Sequence, residues 1–506
     1  MLLSGVLASA MGFINQSAVN VALPAIQSSL KLGGRELLWI VNSHTLMLAS
    51  IMLTGGSLGD RLGRRRVFIT GISVFAFASL ACGLAPSGGL LIAARALQGG
   101  GGGLMVPGSL ALITSAYEPS RRGRAIGTWA AATTITTIAG PLVGGFLAEA
   151  GLWRVIFLLN IPIALVCLLV LYLRVPESLD EHSGKRFDFT GAALAFAGLL
   201  GLTLGFSSAP DWGFGSPRSY IPLSAGLLSL TIFIFVETRR RNPLVPPALF
   251  KSANFSGANL LTLFLYGALS AYTLFFTLNL IQAQGYRESL AGFAFLPFVL
   301  LLAGISRWSG RLVEKVGSRI PLIIGPSLVA VGFLMHAFIG LTEGPADYWI
   351  TFFPAVAVFG IGMGLTVAPL TTTVMNAVSS QFSGTASGIN NAVSRVAGAL
   401  AVAVLGAVAL FSFETGVERY TAHIDLPPAA RTELRIEAAK LGDAAVPTSV
   451  PQSEAAEVQR AFRLAFVRTF RIVMIVCTAL AALSALMAVA LVDRDPPETQ
   501  PGERRE

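Results

Sequence analysis

The chain has 506 residues, of which 54% are hydrophobic and only 12% charged, and its formal net charge is +9. A soluble domain carries about 25% charged residues, so this composition excludes an ordinary water-facing surface. The cations gather in short segments between apolar runs, which argues against a nucleic-acid-binding face despite the positive balance.

Fourteen apolar stretches follow one another, at 2–25, 37–58, 66–86, 88–114, 124–149, 153–173, 190–208, 221–238, 255–281, 289–307, 320–341, 349–374, 385–411 and 466–492. Each approaches the roughly 20 residues that a helix needs to cross about 30 Å of hydrocarbon, and open sheets cannot face lipid. The predicted fold class is an all-α polytopic membrane protein. The first stretch lacks a cationic lead and is too long and polar-punctuated for a signal peptide, so it reads as a span. It opens almost at Met1, and a short lead ahead of it is an expectation. Cys82, Cys167 and Cys477 all lie inside apolar stretches without a CxxC pair, which predicts neither disulfides nor a metal site.

In chain order, the first stretch carries Asn15, Gln16 and Asn20, and the second carries Asn42 and His44. Next comes Gly56-Ser57-Leu58-Gly59-Asp60-Arg61-Leu62-Gly63-Arg64-Arg65-Arg66, read as a charged, glycine-spaced loop. Its glycines permit a tight turn and close backbone approach. Asp60 is suited to pairing with nearby arginines or capping a neighbouring helix N-terminus. Such a cluster would latch helix ends in one conformation; the plainer reading is that its cations only set topology. Arg95 falls about 12 Å inside the fourth stretch at 1.5 Å per residue. That depth costs several kcal/mol unless the side chain faces a cavity or partner, or snorkels to the interface. Thr133, Thr134, Gly140-Pro141-Leu142-Val143-Gly144-Gly145 and Glu149 follow in the fifth stretch. Gly140, Pro141, Gly144 and Gly145 allow bending and packing against the opposite half, or ordinary small-residue packing. Asn279 closes the ninth stretch.

A weaker copy of the loop recurs, with Gly310, Glu314, Gly317 and Arg319 corresponding to Gly56, Asp60, Gly63 and Arg65. Each copy follows the second stretch of a six-stretch set, so the chain divides into two related halves with stretches seven and eight inserted. The expected domains are a six-helix bundle at 1–174, an inserted pair with linkers at 175–253, a second bundle at 254–492 and a tail at 493–506. A long loop at 412–465 interrupts the second bundle, and Ala429–Leu441 suits an amphipathic helix at the outer surface. Farther on, Gly384-Thr385-Ala386-Ser387-Gly388-Ile389-Asn390-Asn391 runs to Arg395; Asn390 would line a cavity or bond a neighbouring helix. Eighteen Lys and Arg, Arg61, Arg64, Arg121, Lys185, Arg186, Arg241 and Lys315 among them, occupy one set of connections, against Lys31, Arg35, Arg218 and Arg287 in the opposite short ones. The richer side is cytoplasmic by the positive-inside rule, which places both termini in the cytoplasm and the chain in the cytoplasmic (inner) membrane.

These motifs together resemble the major facilitator superfamily, and more narrowly its fourteen-helix drug:proton antiporter branch. Residues 56–66 match the family's GxLaDrxGrk motif almost completely. Leu91-x-x-x-Arg95-x-x-Gln98-Gly99, Val19-Asn20-Val21-Ala22-Leu23-Pro24 and Trp153 to Pro162 fit the same branch. The resemblance implies the facilitator fold, two six-helix bundles plus two inserted helices. It assigns Arg95 to proton relay and marks Gly140-Pro141 as an antiporter motif, although Thr136 stands where its first glycine is expected. One departure matters: Asn15 occupies the place of the branch's usual first-helix aspartate, and asparagine carries no proton. His44, following Trp39, stands where the branch has tyrosine and titrates near neutrality. The candidate coupling set is therefore Arg95, His44, Asn15 and Glu149, with a neutral cavity-wall histidine the plainer reading of His44. The candidate cavity residues are Gln16, Asn20, Asn42, Thr133, Thr134, Asn279 and Asn390.

The expected activity is export of small hydrophobic compounds by proton antiport and alternating access. A proton-independent facilitator or symporter, and a non-transporting receptor or assembly protein, are the alternatives. The absence of HExxH, GxSxG and Walker patterns argues against an enzyme or an ATP-driven pump. No cofactor is expected; the expected partners are a small-molecule substrate, protons and membrane lipid, with the chain acting as a monomer.

Overall fold

The computed structural model describes residues 2–32, 34–175, 188–240, 243–438, 441 and 444–493. The expectations on Lys185, Arg186, Arg241, residues 439–440 of the Ala429–Leu441 stretch and residues 494–506 lie outside these, as do the side chains of Asn20, Thr134, Pro141 and Glu314. The described residues are predominantly helical, in the order α1 (Leu2–Leu30), α2 (Gly34–Leu62), α3 (Arg64–Gly83), α4 (Gly88–Ala116), α5 (Pro119–Glu149), α6 (Trp153–Leu158) and α7 (Asn160–Arg174). Next are α8 (Phe189–Trp212), α9 (Pro217–Arg239), α10 (Ala253–Leu278), α11 (Glu288–Phe293), α12 (Leu296–Val316) and α13 (Arg319–Ala337). The last four are α14 (Tyr348–Asn376), α15 (Ser383–Thr421), α16 (Pro428–Ala438) and α17 (Ala455–Leu491).

Eleven segments among the described residues are long and apolar enough to cross a membrane. The glycine-rich α4 and the more polar α2 and α5 are not among them, yet at 29, 29 and 31 residues they have the length to do so. Helices α1 to α7 pack on one another, with α1 against α5 and α4 between α2 and α3. Helices α10 to α17 form a second group, in which α14 lies between α12 and α13 and α17 lies against α10, α13 and α15. The two groups meet where α2 crosses α15 and α5 crosses α12. The α8–α9 pair packs on itself and lies against α2 and α15.

The expected loop at 56–66 is a correction. Helix α2 runs on through Leu62 and α3 starts at Arg64, so the turn is Gly63 alone. Gly63 takes φ 104°, a left-handed conformation that a β-carbon would strain. Gly317 makes the same turn between α12 and α13 at φ 74°. Only these residues need leave the helix, because the polar side chains around them find partners from helical positions.

The second correction concerns 412–465. Helix α15 continues to Thr421 and α17 already begins at Ala455, giving 39 and 37 residues. At 1.5 Å per residue each is roughly 55 Å long, well beyond a hydrocarbon core. The overhang has its own apolar core, where Phe413, Val417, Leu434, Val450, Val458 and Phe466 meet. Helix α16 contributes Ala430, Leu434 and Ala438, one face at four-residue spacing.

Candidate functional site

The junction between the two groups is built around Asp60, in the last turn of α2. Its carboxylate accepts the backbone N–H of Gly384 at 2.9 Å and of Thr385 at 2.7 Å, and the Thr385 hydroxyl at 3.0 Å. These donors belong to the first turn of α15, where unsatisfied amides and the helix dipole favour an anion. Arg64, four residues on, donates to the same carboxylate through Nε and Nη2, each at 3.1 Å. Asp60 is 5% exposed.

Small residues make this approach feasible. A β-carbon on Gly56 would strike the carbonyl of Gly384, and one on Gly388 would lie 2.7 Å from the carbonyl oxygen of Met52. The second junction repeats the pattern: Gly310 of α12 abuts the backbone of Gly123 and Gly127 on α5. Arg122 Nη1 adds a tie to Asn376 Oδ1 of α14 at 3.3 Å. All these cross-group contacts lie at the end of the molecule that carries Gly63 and Gly317. By contrast, Gly59 has open space within 4 Å of the position of a β-carbon.

The other motif cations reach elsewhere. Arg65 donates to the carbonyls of Leu171 and Tyr172 in α7, and Arg319 to that of Val489 in α17. Each ties a turn to the last helix of its own group, so Arg65 and Arg319 are equivalent and neither of these bonds crosses the junction. Arg61 donates to the Pro243 carbonyl, and Ser57 Oγ to the Leu244 carbonyl at 3.0 Å. Val245 N–H donates to Glu237 Oε2 at 2.8 Å, and Arg240 pairs with Asp188. Thus the segment after α9 is pinned to the Asp60 end of α2. The sequence reading did not single out Ser57 or Asp188, because their partners lie far away in the chain.

A second polar cluster crosses the interior of the first group. Arg95 is 1% exposed, donates from Nε to the Ile40 carbonyl at 3.1 Å and from Nη1 to Gln98 Oε1 at 2.5 Å. Asn15 Nδ2 donates to the same Gln98 oxygen at 3.1 Å, and Asn15 Oδ1 accepts from Asn160 Nδ2 at 3.2 Å. Gln98 Nε2 donates to Ser79 Oγ at 2.7 Å. Arg95 and Asn15 are therefore joined through Gln98, with no carboxylate among these partners. Gln98 appears in the sequence motif without a role, and neither Ser79 nor Asn160 was singled out; the i,i+3 spacing of Arg95 and Gln98 was the available signal. His44 is also buried, its ring edge-on to Phe75 at 6.5 Å and beside the backbone of Arg95. Neither ring nitrogen has a hydrogen-bond partner of ordinary geometry among the described residues.

Other expectations meet corrections. Gly140 abuts Ser17 and Ile14, and Gly144 abuts Ala18, so this motif packs α5 on α1 within one group and not against the opposite half. Asn279, 1% exposed, sits in a π-helical turn at Asn279–Ala283 and does not line an open cavity. Thr133 is 6% exposed and its hydroxyl donates back to Trp129 and Ala130. Asn390 donates to Asn259 Oδ1 at 3.3 Å and Thr262 Oγ1 at 2.7 Å, which ties α15 to α10, the neighbouring-helix bonding that was one of its two expected roles. Gln16 is half-buried, and Asn42 and Glu149 are exposed. Glu149 ends α5, and Arg95 bonds elsewhere.

The family model of the Major Facilitator Superfamily matches residues 5–402. The chain is 34% identical to "Multidrug resistance protein Stp" of Mycobacterium tuberculosis, over 78% of this chain and 73% of that protein. It is 36% identical to "Cephamycin export protein CmcT" of Amycolatopsis lactamdurans, over 77% and 80%. It is 27% identical to the "Tetracenomycin C resistance and export protein" of Streptomyces glaucescens, over 97% and 91%. Among solved structures, the human organic anion transporter MFSD10 superposes with a TM-score of 0.58 at 15% identity, over 95% of this chain and 97% of that one. A double tryptophan mutant of XylE superposes with 0.62 at 14%, over 98% and 96%. At such identities the likeness is one of fold.

Proposed function

The chain belongs to the Major Facilitator Superfamily, a family of transporters, and from that premise we propose that it exports small hydrophobic compounds from the cell by alternating access. The relatives named for multidrug resistance, cephamycin export and tetracenomycin C export support the direction. In this reading the protein spans the cytoplasmic membrane fourteen times with both termini inside. Residues 1–174 and 254–492 are the moving bundles, 175–253 the inserted pair and 493–506 a cytoplasmic tail.

The observation that carries the mechanism is the capping of α15 by Asp60 across the junction. With the Gly63 end at the cytoplasm, the described conformation is closed inside and faces outward. Turning inward must separate Gly56 from Gly384 and strip Asp60 of its three α15 donors. Those bonds are charge-assisted, the stronger kind of hydrogen bond, so they hold the closed state without locking it. Asp60 and Arg64 form the latch, Arg61 extends it to the inserted pair, and Arg65 and Arg319 keep each bundle rigid as it rocks. Glu314 is proposed as the counterpart of Asp60 by its place in the repeat.

Coupling to protons is the further element of this reading, with His44 as the titratable group and Arg95 and Asn15 as the network beside it; Glu149 is a second proton site at the outer end. One observation favours a second reading, proton-independent facilitation: the Arg95 cluster holds Asn15 where an acid would supply a proton. Accumulation of a lipophilic dye in everted membrane vesicles tests export. Uptake that depends on the intact protein supports it, and dye accumulation only in right-side-out vesicles would reverse the direction.

A further inference from the structure

Arg395 lies twelve residues into α15, about 18 Å from its first turn at 1.5 Å per residue. It sits two turns beyond Gly388, where α15 still touches Met52 and Leu53 of α2. Farther along α15, Leu400, Val404, Val408 and Phe411 are exposed and mark the lipid-facing stripe. At 100° per residue, Arg395 projects from the far side of the helix, towards the seam between the bundles. Two residues lie within its electrostatic reach: His44, buried on α2 inside the first bundle, and the half-buried Tyr266 on α10 of the second.

Arg395 makes no hydrogen bond or ion pair to a described residue, and its side chain is half-buried where Arg95 is fully enclosed. The buried acids among the described residues are Asp60, Asp188 and Glu237, which cluster around the Asp60 end. An arginine at membrane depth without a partner costs several kcal/mol and persists where it meets water or a ligand. Its planar fork matches a carboxylate in two parallel hydrogen bonds.

We infer that Arg395 is the anion-recognition residue of the transport path, and that the cargo is a lipophilic compound bearing a carboxylate. The inference rests on the export reading for the word cargo, but the binding site stands or falls by itself. As the bundles part at one end and close at the other, Arg395 stays on the seam, where it meets the carboxylate from either side. The charge pair would fix the orientation of the compound, whose apolar body would lie along the seam.

The test uses the purified full chain in phosphatidylcholine nanodiscs, so that no anionic lipid competes. Pyrenebutyrate, its methyl ester and pyrenebutylamine are titrated against tryptophan fluorescence. The expected result is a Kd for the carboxylate about tenfold or more below that of the ester, with the amine weakest. In Arg395→Met the carboxylate and ester become equal while the ester retains its wild-type Kd, which shows that the fold is intact. Arg395→Lys keeps most of the preference. Equal binding of carboxylate and ester in the wild type, or a preference that survives Arg395→Met, overturns the inference. Failure of export in everted vesicles with the carboxylate preference intact would remove the export reading and leave the anion site standing.

Discussion

Asp60 and Thr385, 325 positions apart, are joined by two hydrogen bonds, one from the Thr385 backbone N–H at 2.7 Å and one from its hydroxyl at 3.0 Å. The pair links the end of α2 to the start of α15, and so links the two halves of the molecule. Because the same carboxylate also holds Gly384 N–H, a single side chain carries much of the polar contact across this junction, with Arg64 of its own group beside it.

Asp60→Asn should open that junction. The amide retains an acceptor but loses the charge, and hydrogen bonds to charged groups contribute about 1.5–3 kcal/mol each. Spin labels at the exposed Leu62 and Gln381 should report a longer distance in a larger share of molecules, and transport should fall about tenfold. An unchanged distance distribution would remove Asp60 from the latch.

The glycines predict a contrast within one motif. Gly56→Val and Gly310→Val each place side-chain atoms in the opposing backbone, so both should abolish transport by preventing closure at this end. Gly59→Ala meets open space and should leave transport within about twofold, and helix propensity makes it mildly stabilising. Transport rates and melting temperatures of the three variants in detergent check the ordering; equal losses would mean that the glycines serve only the local helix.

Asn15→Asp should create a proton site where the chain has none. The new carboxylate would lie beside Gln98 and Asn160, within the cluster that holds Arg95. We expect transport to acquire a new ionisation in its pH profile and cationic compounds to become better substrates. A pH profile superimposable on the wild type would show that this cluster is isolated from the transport path.

Gln98→Ala tests the same cluster from its centre. It leaves Arg95 Nη1, Asn15 Nδ2 and Ser79 without the partners that Gln98 provides. Leaving buried polar groups unsatisfied costs about 1–3 kcal/mol each, so the melting temperature should drop by several degrees. Gln98→Glu should restore stability by pairing with Arg95, and a thermal melt that separates the two variants is the readout.

Much of the helical architecture is readable from the chain, because hydrocarbon thickness dictates the length of each apolar stretch and the cations mark its ends. The repeat of Gly63 and Gly317 is readable too, since only glycine takes the left-handed turn cheaply. What those turns face is not. Asp60 looks like a loop residue because nothing local reveals that Thr385 will complete its coordination. Gly140 and Gly144 announce close packing, but a small-residue face carries no address, and its partner is α1 rather than the other bundle. The overhang of α15 and α17 is hidden for a similar reason: polar residues beyond the bilayer resemble a loop until Phe413 and Val458 are seen to share a core. Arg95 is conspicuous by its depth, whereas Gln98, which organises its neighbours, is an ordinary polar residue in sequence.

The central claim is exchange of a small lipophilic compound against protons, and a pH-sensitive dye inside proteoliposomes tests it most directly. With the compound supplied on one side and a pH gradient imposed, wild-type protein should produce compound-triggered proton movement, and Arg95→Ala should not. Compound flux with no proton movement in the wild type would contradict antiport, and the absence of any compound-dependent flux would contradict transport itself.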